Sequence, residues 1–446
     1  MSNLLSSSLL GCGRWRSTLA GLLLLLGSTS PVGAKCSKEH WVGVWTSMPQ
    51  LVEPANLPNA PYNGTNGVFE NASLRQTIYI TQDAPIIRLR FSNALGASDL
   101  TITAATVALP ANGSAGASAI DPATLQTVTF SGEASFTVPN GALVVSDPLT
   151  FPVKAQSVLA VTIYLASGQS GHAITGHPGS RTSSFAAPGN LVSAADLVAS
   201  PSAQKIDHWY FLSAVDGWLP RSRTALAIVG DSITDGRGST TNANNRWPDQ
   251  LLARLRAANT TTAATVSLLN QAAGGNRVLA DGLGPNALGR LERDVLAQPG
   301  VRYALIYAGV NDLGTAPLPS LPATATRLML AYAQMVTRLH SAGVAAFGAT
   351  LTPMSGPGQA YSDPGREAQR QRVNAWIRAS GRFDGVVDFD AAVRDDAADG
   401  GNATQLAPAF DSGDYLHLNP AGYAAMAAAV DLSLFSRFAG GVHAMV

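Results

Sequence analysis

The first half of the chain shows a two-residue alternation of apolar and polar positions. Between Trp41 and about Leu212, short apolar runs are separated by Gly, Pro, Asn and Ser, and the clearest runs are 77–81, 86–91, 136–138 and 159–165. Alternation with turn residues between the runs is typical of antiparallel strands that bury one face. The pattern therefore predicts an antiparallel β-sandwich. The stretch 178–204 is rich in Ser, Ala and Pro and is predicted to be a long surface connection.

The pattern changes after Arg223, where continuous apolar runs alternate with amphipathic segments. The apolar runs are 225–229, 266–269, 304–307, 345–350 and 386–389, and the amphipathic segments are 249–258, 287–297, 323–342 and 367–380. Apolar strands that alternate with helices predict a parallel sheet covered by helices on both faces. In such α/β folds, ligands bind beyond the carboxyl ends of the strands.

The two patterns meet near Trp218, Leu219 and Pro220. A chain of 446 residues exceeds what one hydrophobic core usually organises, so two domains are expected. We predict a β-sandwich domain over residues 35–218 and an α/β domain over residues 222–440.

Residues 1–34 have the organisation of a secretory signal peptide. Arg14 and Arg16 precede an apolar stretch centred on residues 22–26, and small residues follow at 32–34, where cleavage is predicted. The apolar run is shorter than the ~20 residues that span a bilayer, which argues against a membrane anchor. We therefore expect a secreted, extracellular protein with no stable membrane insertion.

N-glycosylation motifs agree with export. Five Asn-x-Ser/Thr motifs without an intervening Pro occur in the chain, at Asn63, Asn71, Asn112, Asn259 and Asn402. Together with a signal peptide they predict a glycoprotein.

The cysteine content and the net charge of the chain give further information on its disulfide bonds and on the kinds of partner that it can bind. Cys12 lies within the predicted signal peptide, which leaves Cys36 without a partner and the mature chain without an internal disulfide. Lys and Arg total 29, as do Asp and Glu, so the formal net charge is zero. This balance gives no electrostatic footprint for nucleic acid or an anionic membrane, and it favours a neutral substrate.

A serine lies where the first strand of the α/β region ends. Strand 225–229 runs directly into the segment GDSITDG, whose third residue is Ser232. A hydroxyl at this place suits a nucleophile, which also needs an adjacent base and a partner that orients the base. Serine beside Gly and Asp is also a common turn or cap residue. Thr234 stands where a Gly-x-Ser-x-Gly elbow has Gly, which argues against an ordinary α/β-hydrolase.

A histidine with a nearby carboxylate occurs close to the C-terminus. Asn419 and Pro420 are suited to the cap and first residue of a last helix, which places His417 on the loop before it. Asp414 precedes His417 by three residues, so one tight turn can bring its carboxylate to Nδ1. Nε2 is then left to take a proton from a serine.

Two loops after successive strands can supply hydrogen-bond donors. Segment 270–277 follows the second strand and contains Gly274 and Gly275, and segment 309–312 follows the third and contains Asn311. Glycine lets a backbone N–H approach a ligand closely, and an Asn amide is a neutral donor. Both loops therefore suit the stabilisation of an oxyanion.

These four segments together resemble the conserved blocks of the SGNH hydrolases, also called GDSL-type esterases. They occur in the order of that family over roughly the last half of the chain. The resemblance implies a flavodoxin-like three-layer α/β/α fold with Ser232 as nucleophile and Asp414 and His417 as its partners. It also implies an oxyanion hole formed by the backbone N–H of Ser232, by Gly275 and by Asn311.

Other segments extend the resemblance and mark one departure from it. Segments 41–45, 74–76 and 90–94 resemble the β-domain that precedes the catalytic domain in one group of secreted SGNH enzymes. Ala272 stands where many relatives have glycine, so Gly274 is the alternative to Gly275 as the second oxyanion donor.

The resemblance implies a serine esterase that hydrolyses carboxylic esters through an acyl-enzyme and requires no cofactor. O-acetyl groups on polysaccharide are one candidate substrate, and the lack of a long apolar lid segment near the blocks favours short acyl groups. A lipase or aryl-esterase is the enzymatic alternative. A non-catalytic carbohydrate-binding protein is the alternative from another class, and the oligomeric state is open.

The remaining histidines and tryptophans fit structural roles. No histidine pair has the spacing of zinc ligands, and the one remaining cysteine is isolated. His177 and His208 are predicted to be structural or rim residues of the β-rich region. The tryptophans of that region are predicted to be core or interdomain residues: Trp41, Trp45, Trp209 and Trp218.

Overall fold

The computed structural model describes residues 38–64, 66–258, 262–396 and 400–442. The predicted signal peptide, both cysteines and Asn259 lie outside these residues. The described residues from Lys38 onward form one compact unit. The division into domains at 218–222 stays a prediction, and below we use "β-rich part" for β1–β15 and "α/β part" for the elements from β16 onward.

The β-rich part consists of antiparallel sheets. Its strands are β1 (Glu39–Thr46), β2 (Gln50–Leu51), β3 (Ala72–Tyr79), β4 (Ile87–Ser92), β5 (Leu100–Ile102), β6 (Ala104–Ala108), β7 (Gln126–Val128), β8 (Phe136–Val138), β9 (Leu143–Val145), β10 (Val158–Leu165), β11 (Thr175–His177), β12 (Ser184–Pro188), β13 (Gln204–Ile206), β14 (Trp209–Tyr210) and β15 (Leu212–Pro220). In the described chain they form the sheets β1-β15-β4-β9, β13-β12-β3-β10-β6-β7, β14-β11-β2 and β5-β8. Apolar residues of these sheets, such as Val44, Leu74 and Ile163, share one buried cluster. The predicted antiparallel architecture of this region is confirmed.

The prediction that 178–204 is a surface connection was wrong for part of this segment. Strand β12 pairs with β3 on one side and with β13 on the other, so it lies inside the six-stranded sheet. Its residues Ser184, Ala186 and Ala187 are fully buried. Small side chains fit this crowded position, but they lack the β-branched and aromatic character by which a strand is recognised in a sequence.

The α/β part contains a parallel sheet flanked by helices. Its strands are β16 (Thr224–Gly230), β17 (Val266–Ala272), β18 (Val301–Tyr307), β19 (Ala345–Ala349) and β20 (Gly385–Val387). Among the described residues they pair in the order β17-β16-β18-β19-β20, and every pairing is parallel. This is the strand order of a flavodoxin-like sheet. The predicted α/β fold with a parallel sheet is confirmed.

The helices lie between the strands, close to their predicted places. They are α1 (Ser232–Asp235), α2 (Trp247–Ala257), α3 (Val310–Thr315), α4 (Leu321–Ser341), α5 (Pro364–Ala379), α6 (Phe389–Val393), α7 (Pro420–Ala429) and α8 (Ser433–Arg437). Helix α4 buries Ala325, Leu328, Tyr332, Met335 and Leu339, the spacing of an amphipathic helix.

The helix predicted over 287–297 is wrong in its first part. Residues 287–290 form turns, and a π-helix over Glu292–Leu296 follows. The side chain of Arg290, which is fully buried, leaves this segment to bond the loops of the sheet. Gly289 immediately before it has little helix propensity.

The β-rich part packs directly against the edge strand β17. The backbone N–H of Gly43 in β1 donates to the carbonyl oxygen of Pro299 at 2.9 Å, and Ser267 Oγ donates to the carbonyl oxygen of Gly43 at 2.6 Å. A Cβ atom at position 43 would lie 2.9 Å from Leu269 Cδ1. Glycine at this position therefore allows the two strands to approach closely.

Candidate active site

The predicted site residues follow two neighbouring strands of the parallel sheet. Ser232 begins α1 directly after β16, and Asn311 lies in the first turn of α3 directly after β18. In this strand order the connection after β16 runs to one side of the sheet and the connection after β18 runs to the other side. A crevice therefore opens between them at the carboxyl ends of these two strands. The topology thus brings the two residues to one edge of the sheet.

A cap at each end fixes the short helix that begins with Ser232. Asp231 is the N-cap, and its Oδ1 accepts a hydrogen bond from the backbone N–H of Ile233 at 3.1 Å. Gly236 ends the helix with a left-handed φ of 94°, a conformation that glycine adopts without strain. Ser232 is largely buried and lines the cleft described below.

The structure brings Ser232, His417 and Asp414 into one hydrogen-bonded chain. Ser232 Oγ lies 2.7 Å from His417 Nε2, and His417 Nδ1 lies 2.6 Å from Asp414 Oδ2. With Nδ1–H donating to the carboxylate, Nε2 is the acceptor for the hydroxyl proton. The order of these groups is that of a serine nucleophile, a base and an orienting acid.

The loop before α7 orients the carboxylate of Asp414. Its Oδ1 accepts the backbone N–H groups of Leu416 at 3.1 Å and His417 at 2.8 Å. Burial acts to raise the pKa of Asp414, but hydrogen bonds from His417 and the positive charge of its ring outweigh burial, and the pKa lies well below its usual value. The predicted cap is present as well, because Asn419 Oδ1 accepts from the backbone N–H of Ala421 and of Gly422.

The loop after β17 supplies glycines to the same site. The backbone N–H of Asn276 donates to the carbonyl oxygen of Ala273 at 3.2 Å, which closes a tight turn over Gly274 and Gly275. Gly275 has a φ of 69° and a Cβ atom there would lie 2.4 Å from Leu283 Cδ1, so this position requires glycine. Both glycines line the cleft beside Ser232, and the choice of Gly275 as donor stays a prediction.

Asn311 presents a fixed amide to the cleft. Its Oδ1 accepts a hydrogen bond from the Tyr361 hydroxyl at 3.0 Å, and its Nδ2 donates to the carbonyl oxygen of Asn276 at 3.0 Å. An amide nitrogen carries two protons, so one remains for a ligand. The sequence analysis missed Tyr361, which follows no recognised block.

A buried arginine, also missed from the sequence, joins the loops of the site. Arg290 donates to the carbonyl oxygens of Gly230 and Gln271 at 3.3 and 2.7 Å, and to Asn276 Oδ1 at 3.2 and 3.1 Å. Asp294 accepts a further bond from it at 3.0 Å. The guanidinium thus satisfies carbonyl groups at the ends of β16 and β17, the strands that lead to Ser232 and to the glycine turn.

The N-cap carboxyl group of Asp231 is perturbed by its surroundings. Burial raises the pKa of Asp231 to about 7, and the charges of Asp312 and Asp235 act in the same direction. The hydrogen bond from Ile233 and the charge of Arg290 act against this rise. The carboxyl group next to Ser232 therefore has a pKa raised toward neutrality.

The site opens into a cleft of about 630 Å³, one wall of which comes from the β-rich part. That wall includes Gln50, Glu53, Asn56, Gly179, Arg181 and His208. His208 thus lies at the rim, as predicted. His177 is buried and lies 2.9 Å from Asp235 Oδ1, which agrees with the structural role predicted as one of its two alternatives.

The described glycosylation motifs lie mainly at the surface. Asn71, Asn112 and Asn402 are exposed and Asn63 is half-buried. In the described part of the chain, no helix has both the length and the apolar character needed to cross a bilayer. The same residues contain no group of three His, Cys, Asp or Glu side chains arranged to hold a metal ion.

Comparison with solved structures finds similar chains that align with about half of this one. A GDSL-like lipase from Bacteroides thetaiotaomicron is 16% identical, with a TM-score of 0.35, over 48% of this chain and 89% of that chain. A catalytic mutant of an acetylxylan esterase from Geobacillus stearothermophilus is 22% identical, with a TM-score of 0.35, over 49% of this chain and 94% of that chain. The search of curated proteins found no match.

Comparison with family models gives the assignment. Residues 228–425 match the model of the GDSL-like lipase/acylhydrolase family, and this range includes Ser232, Gly275, Asn311, Asp414 and His417. The resemblance drawn from the four sequence blocks is confirmed. Residues 228–425 of the chain are a domain of the GDSL-like lipase/acylhydrolase family, and the protein is accordingly a carboxylic ester hydrolase.

Proposed function

We propose that the protein hydrolyses carboxylic esters with Ser232 as nucleophile, His417 as general base and Asp414 as the acid that orients the base. The observation that carries this proposal is the continuous hydrogen-bonded chain from Ser232 Oγ through the imidazole to Asp414 Oδ2, with distances of 2.7 and 2.6 Å. Ser232, at one end of this series of hydrogen bonds, lines the cleft together with the proposed oxyanion donors Gly275 and Asn311.

In the acylation step, Ser232 Oγ attacks the ester carbonyl carbon while its proton passes to His417 Nε2. The carbonyl oxygen becomes an oxyanion, which the backbone N–H of Ser232, the N–H of Gly275 and the free amide proton of Asn311 stabilise. Collapse of the intermediate breaks the bond to the alcohol oxygen, which takes the proton from His417. The products are the free alcohol and an acyl ester of Ser232.

Deacylation repeats these steps with water. His417 Nε2 takes a proton from a water molecule, whose oxygen attacks the acyl carbon, and the same donors hold the second oxyanion. The bond to Ser232 Oγ then breaks, and the proton on Nε2 returns to that oxygen. The acid product leaves, and Ser232 and His417 are back in their starting protonation states.

The polar cleft wall supports an O-acetylated carbohydrate as substrate. The groups facing the cleft from the β-rich part are amides, charged groups and an imidazole, contributed by Gln50, Glu53, Asn56, Arg181 and His208. Such groups form hydrogen bonds with hydroxyl groups on the alcohol side of an ester.

An aryl or lipid ester is the second candidate, and one observation favours it. Leu283 lines the cleft and is 49% exposed, and Leu416 lies close to the catalytic histidine in the same cleft. Two leucines give an apolar contact of limited size, which suits a short acyl group or an aromatic ring better than a long chain.

The proposal is tested by comparing wild type with Ser232→Ala. We expect the variant to fold and to lose more than about three orders of magnitude in kcat, because the attacking oxygen is removed. Labelling of Ser232 by an organophosphonate, followed by mass spectrometry, separates an enzyme from a non-catalytic binder. Release of acetate from acetylated xylan, compared with hydrolysis of p-nitrophenyl esters of increasing chain length, separates the two substrate classes.

We also propose that residues 1–34 are removed on secretion, that the mature chain divides near 218–222, and that exposed motifs carry N-glycans. The apolar leader and the surface positions of Asn71, Asn112 and Asn402 support this. A secreted product from a eukaryotic host should begin at Lys35 and lose mass on treatment with peptide N-glycosidase. A chain that stays cell-bound with its leader intact contradicts the proposal.

A further inference from the structure

A buried pair of side chains joins the β-rich part to the helix of the nucleophile. His177 Nε2 lies 2.9 Å from Asp235 Oδ1, and these side chains are 4% and 1% exposed. His177 ends β11, and Asp235 is the last residue of α1, whose first residue is Ser232. The contact therefore reaches the far end of the helix on which the nucleophilic oxygen is placed.

The second ring nitrogen of His177 defines how the pair is protonated. Nδ1 lies 3.0 Å from the carbonyl oxygen of Met48, which can only accept, so Nδ1 carries a proton. The contact between Nε2 and Asp235 Oδ1 needs one more proton, held either by the ring or by the carboxyl group. In both arrangements the pair is neutral as a whole and its hydrogen bond is kept.

The imidazole is held firmly on the side of the β-rich part. Strand β11 is the central strand of the sheet β14-β11-β2. The ring of His177 stacks on Trp209, with centroids 5.7 Å apart and planes 24° apart, and Trp209 packs edge-on against Trp45 at 5.0 Å. The ring therefore has little freedom to turn, and it serves as a fixed point for Asp235.

Asp235 depends on this single side-chain partner. Its Oδ2 is buried and has no hydrogen-bond partner among the described residues. The backbone of Gly179 covers this oxygen so closely that a Cβ atom there would lie 1.6 Å from it. A charged or polar group in such a place is costly unless it is bonded, so the bond to His177 holds the carboxyl group in its orientation.

A helix of four residues has little stability of its own, so its position is set by the contacts at its ends. Asp231 caps the first turn, and Asp235 anchors the last. A displacement of about 1 Å in a reacting group can lower a rate about a hundredfold. The 2.7 Å contact between Ser232 Oγ and His417 Nε2 is therefore sensitive to the anchor at Asp235.

We propose that His177 is a positioning residue, which holds α1 through Asp235 so that Ser232 Oγ stays within reach of His417. This inference rests on the proposed role of Ser232. It gives the β-rich part a direct role in the reaction, in addition to forming one wall of the cleft. Asp235 also lines the cleft, but its side chain is 1% exposed and is held by His177, so the pair acts mainly on the placement of Ser232, and its loss lowers kcat more than it raises KM.

Three variants test the hydrogen bond itself. His177→Ala and Asp235→Ala should each lower kcat between about tenfold and a hundredfold, with KM within about twofold of wild type. Asp235→Asn should keep kcat within a few-fold, because the amide Nδ2 donates to Nε2 of a neutral ring whose Nδ1–H still bonds Met48. Added imidazole should restore part of the activity of His177→Ala by filling the vacated space.

The matched control is a histidine–aspartate pair that does not line the cleft. His340 Nε2 lies 2.9 Å from Asp384 Oδ2, and these side chains are 29% and 16% exposed. His340→Ala should retain wild-type kcat and lose only thermal stability. The melting temperatures of all variants show whether a lower kcat arises because part of the protein is unfolded.

The outcomes separate this inference from the proposed function. A wild-type protein that neither turns over esters nor reacts with an organophosphonate overturns the proposed function and, with it, this inference. A reactive wild type and a His177→Ala variant with unchanged kcat overturn the inference alone. If His177→Ala does not fold, the Asp235→Asn variant tests the inference instead. An Asp235→Asn variant that is as stable as wild type but has a hundredfold lower kcat overturns the inference, because this variant keeps the hydrogen bond.

Discussion

The phenolic hydroxyl of Tyr361 donates a hydrogen bond of 3.0 Å to Oδ1 of Asn311. This bond determines which end of the amide is available to a ligand, because the oxygen is occupied and the nitrogen keeps a free proton. If the amide group could rotate freely, its oxygen would sometimes face the oxyanion. Two oxygen atoms with negative charge repel each other, so that orientation would be unfavourable. Tyr361 therefore selects the amide orientation in which Asn311 can serve as the proposed oxyanion donor.

We predict that Tyr361→Phe lowers kcat by about threefold to tenfold, whereas Asn311→Ala lowers it by about 10²- to 10³-fold. The smaller effect is expected because the bond from Nδ2 to the carbonyl oxygen of Asn276 still holds the amide. Initial rates on p-nitrophenyl acetate at saturating substrate measure both effects. A Tyr361→Phe variant with a loss as large as that of Asn311→Ala contradicts an orienting role.

The turn at Gly275 provides a second test. We predict that Gly275→Ala lowers kcat by about tenfold to a hundredfold, because a side chain strains the backbone at a φ of 69° and the new Cβ would lie 2.4 Å from Leu283 Cδ1, so that Leu283 or the turn must shift. Gly113→Ala is the matched control, since Gly113 has a φ of 70° and no atom within 4 Å of the added Cβ. It should cost about 1 kcal/mol in stability and leave activity unchanged. Equal activity of both variants contradicts a role for the turn.

The carboxylate of Asp414 is predicted to be needed as an anion. Asp414→Asn should lower kcat by about four orders of magnitude, because an amide neither fixes the tautomer of His417 nor stabilises its charged form. Since hydrogen bonds and the His417 charge hold the pKa of Asp414 well below its usual value, the wild-type carboxylate stays ionised as pH falls through about 4. Measured pH–rate profiles should therefore show no loss of activity that is caused by protonation of Asp414 in that range.

Asp411→Asn is the control for this loop. Asp411 Oδ1 accepts the backbone N–H groups of Gly413 and Tyr415, both at 3.0 Å, and an Asn side chain keeps this acceptor. The variant should retain activity within about twofold. A loss as great as that of Asp414→Asn means that loop conformation, rather than the charge of Asp414, explains the effect.

Local signals account for what the sequence analysis predicted correctly. The parallel strands appear as continuous apolar runs because both faces of the sheet are covered. The start of α7 follows from Asn419, whose side chain accepts two backbone N–H groups, and from Pro420, which needs no donor at the first helical position. In each case the residues that carry the signal lie within a few positions of the structure they specify.

The residues that were missed act over long separations. His177 and Asp235 are 58 positions apart, and Tyr361 and Asn311 are 50 positions apart. Through one buried guanidinium, Arg290 bonds the end of β16 at Gly230 and the segment 270–277 at Gln271 and Asn276. No periodicity or short motif encodes such contacts, because they depend on how strands and loops are placed in space.

The raised pKa of Asp231 makes the stability of the folded chain depend on pH. Burial raises the pKa to about 7, whereas an aspartate in an unfolded chain titrates near 3.9. The unfolded state thus releases its proton at lower pH than the folded state does. The stabilising contribution is complete below about pH 4 and is lost as pH rises through about 7.

We predict that Asp231→Asn removes this part of the pH dependence. From pH 5 to pH 8 the wild type should lose on the order of 2 to 3 kcal/mol of unfolding free energy more than the variant does. The asparagine oxygen can still accept the N–H of Ile233, so the cap at α1 is retained. Urea unfolding of both proteins at the two pH values measures the difference. If the unfolding free energies of the two proteins change equally between the two pH values, the titration of Asp231 contributes nothing to stability. That result contradicts a raised pKa of this carboxyl group in the folded state.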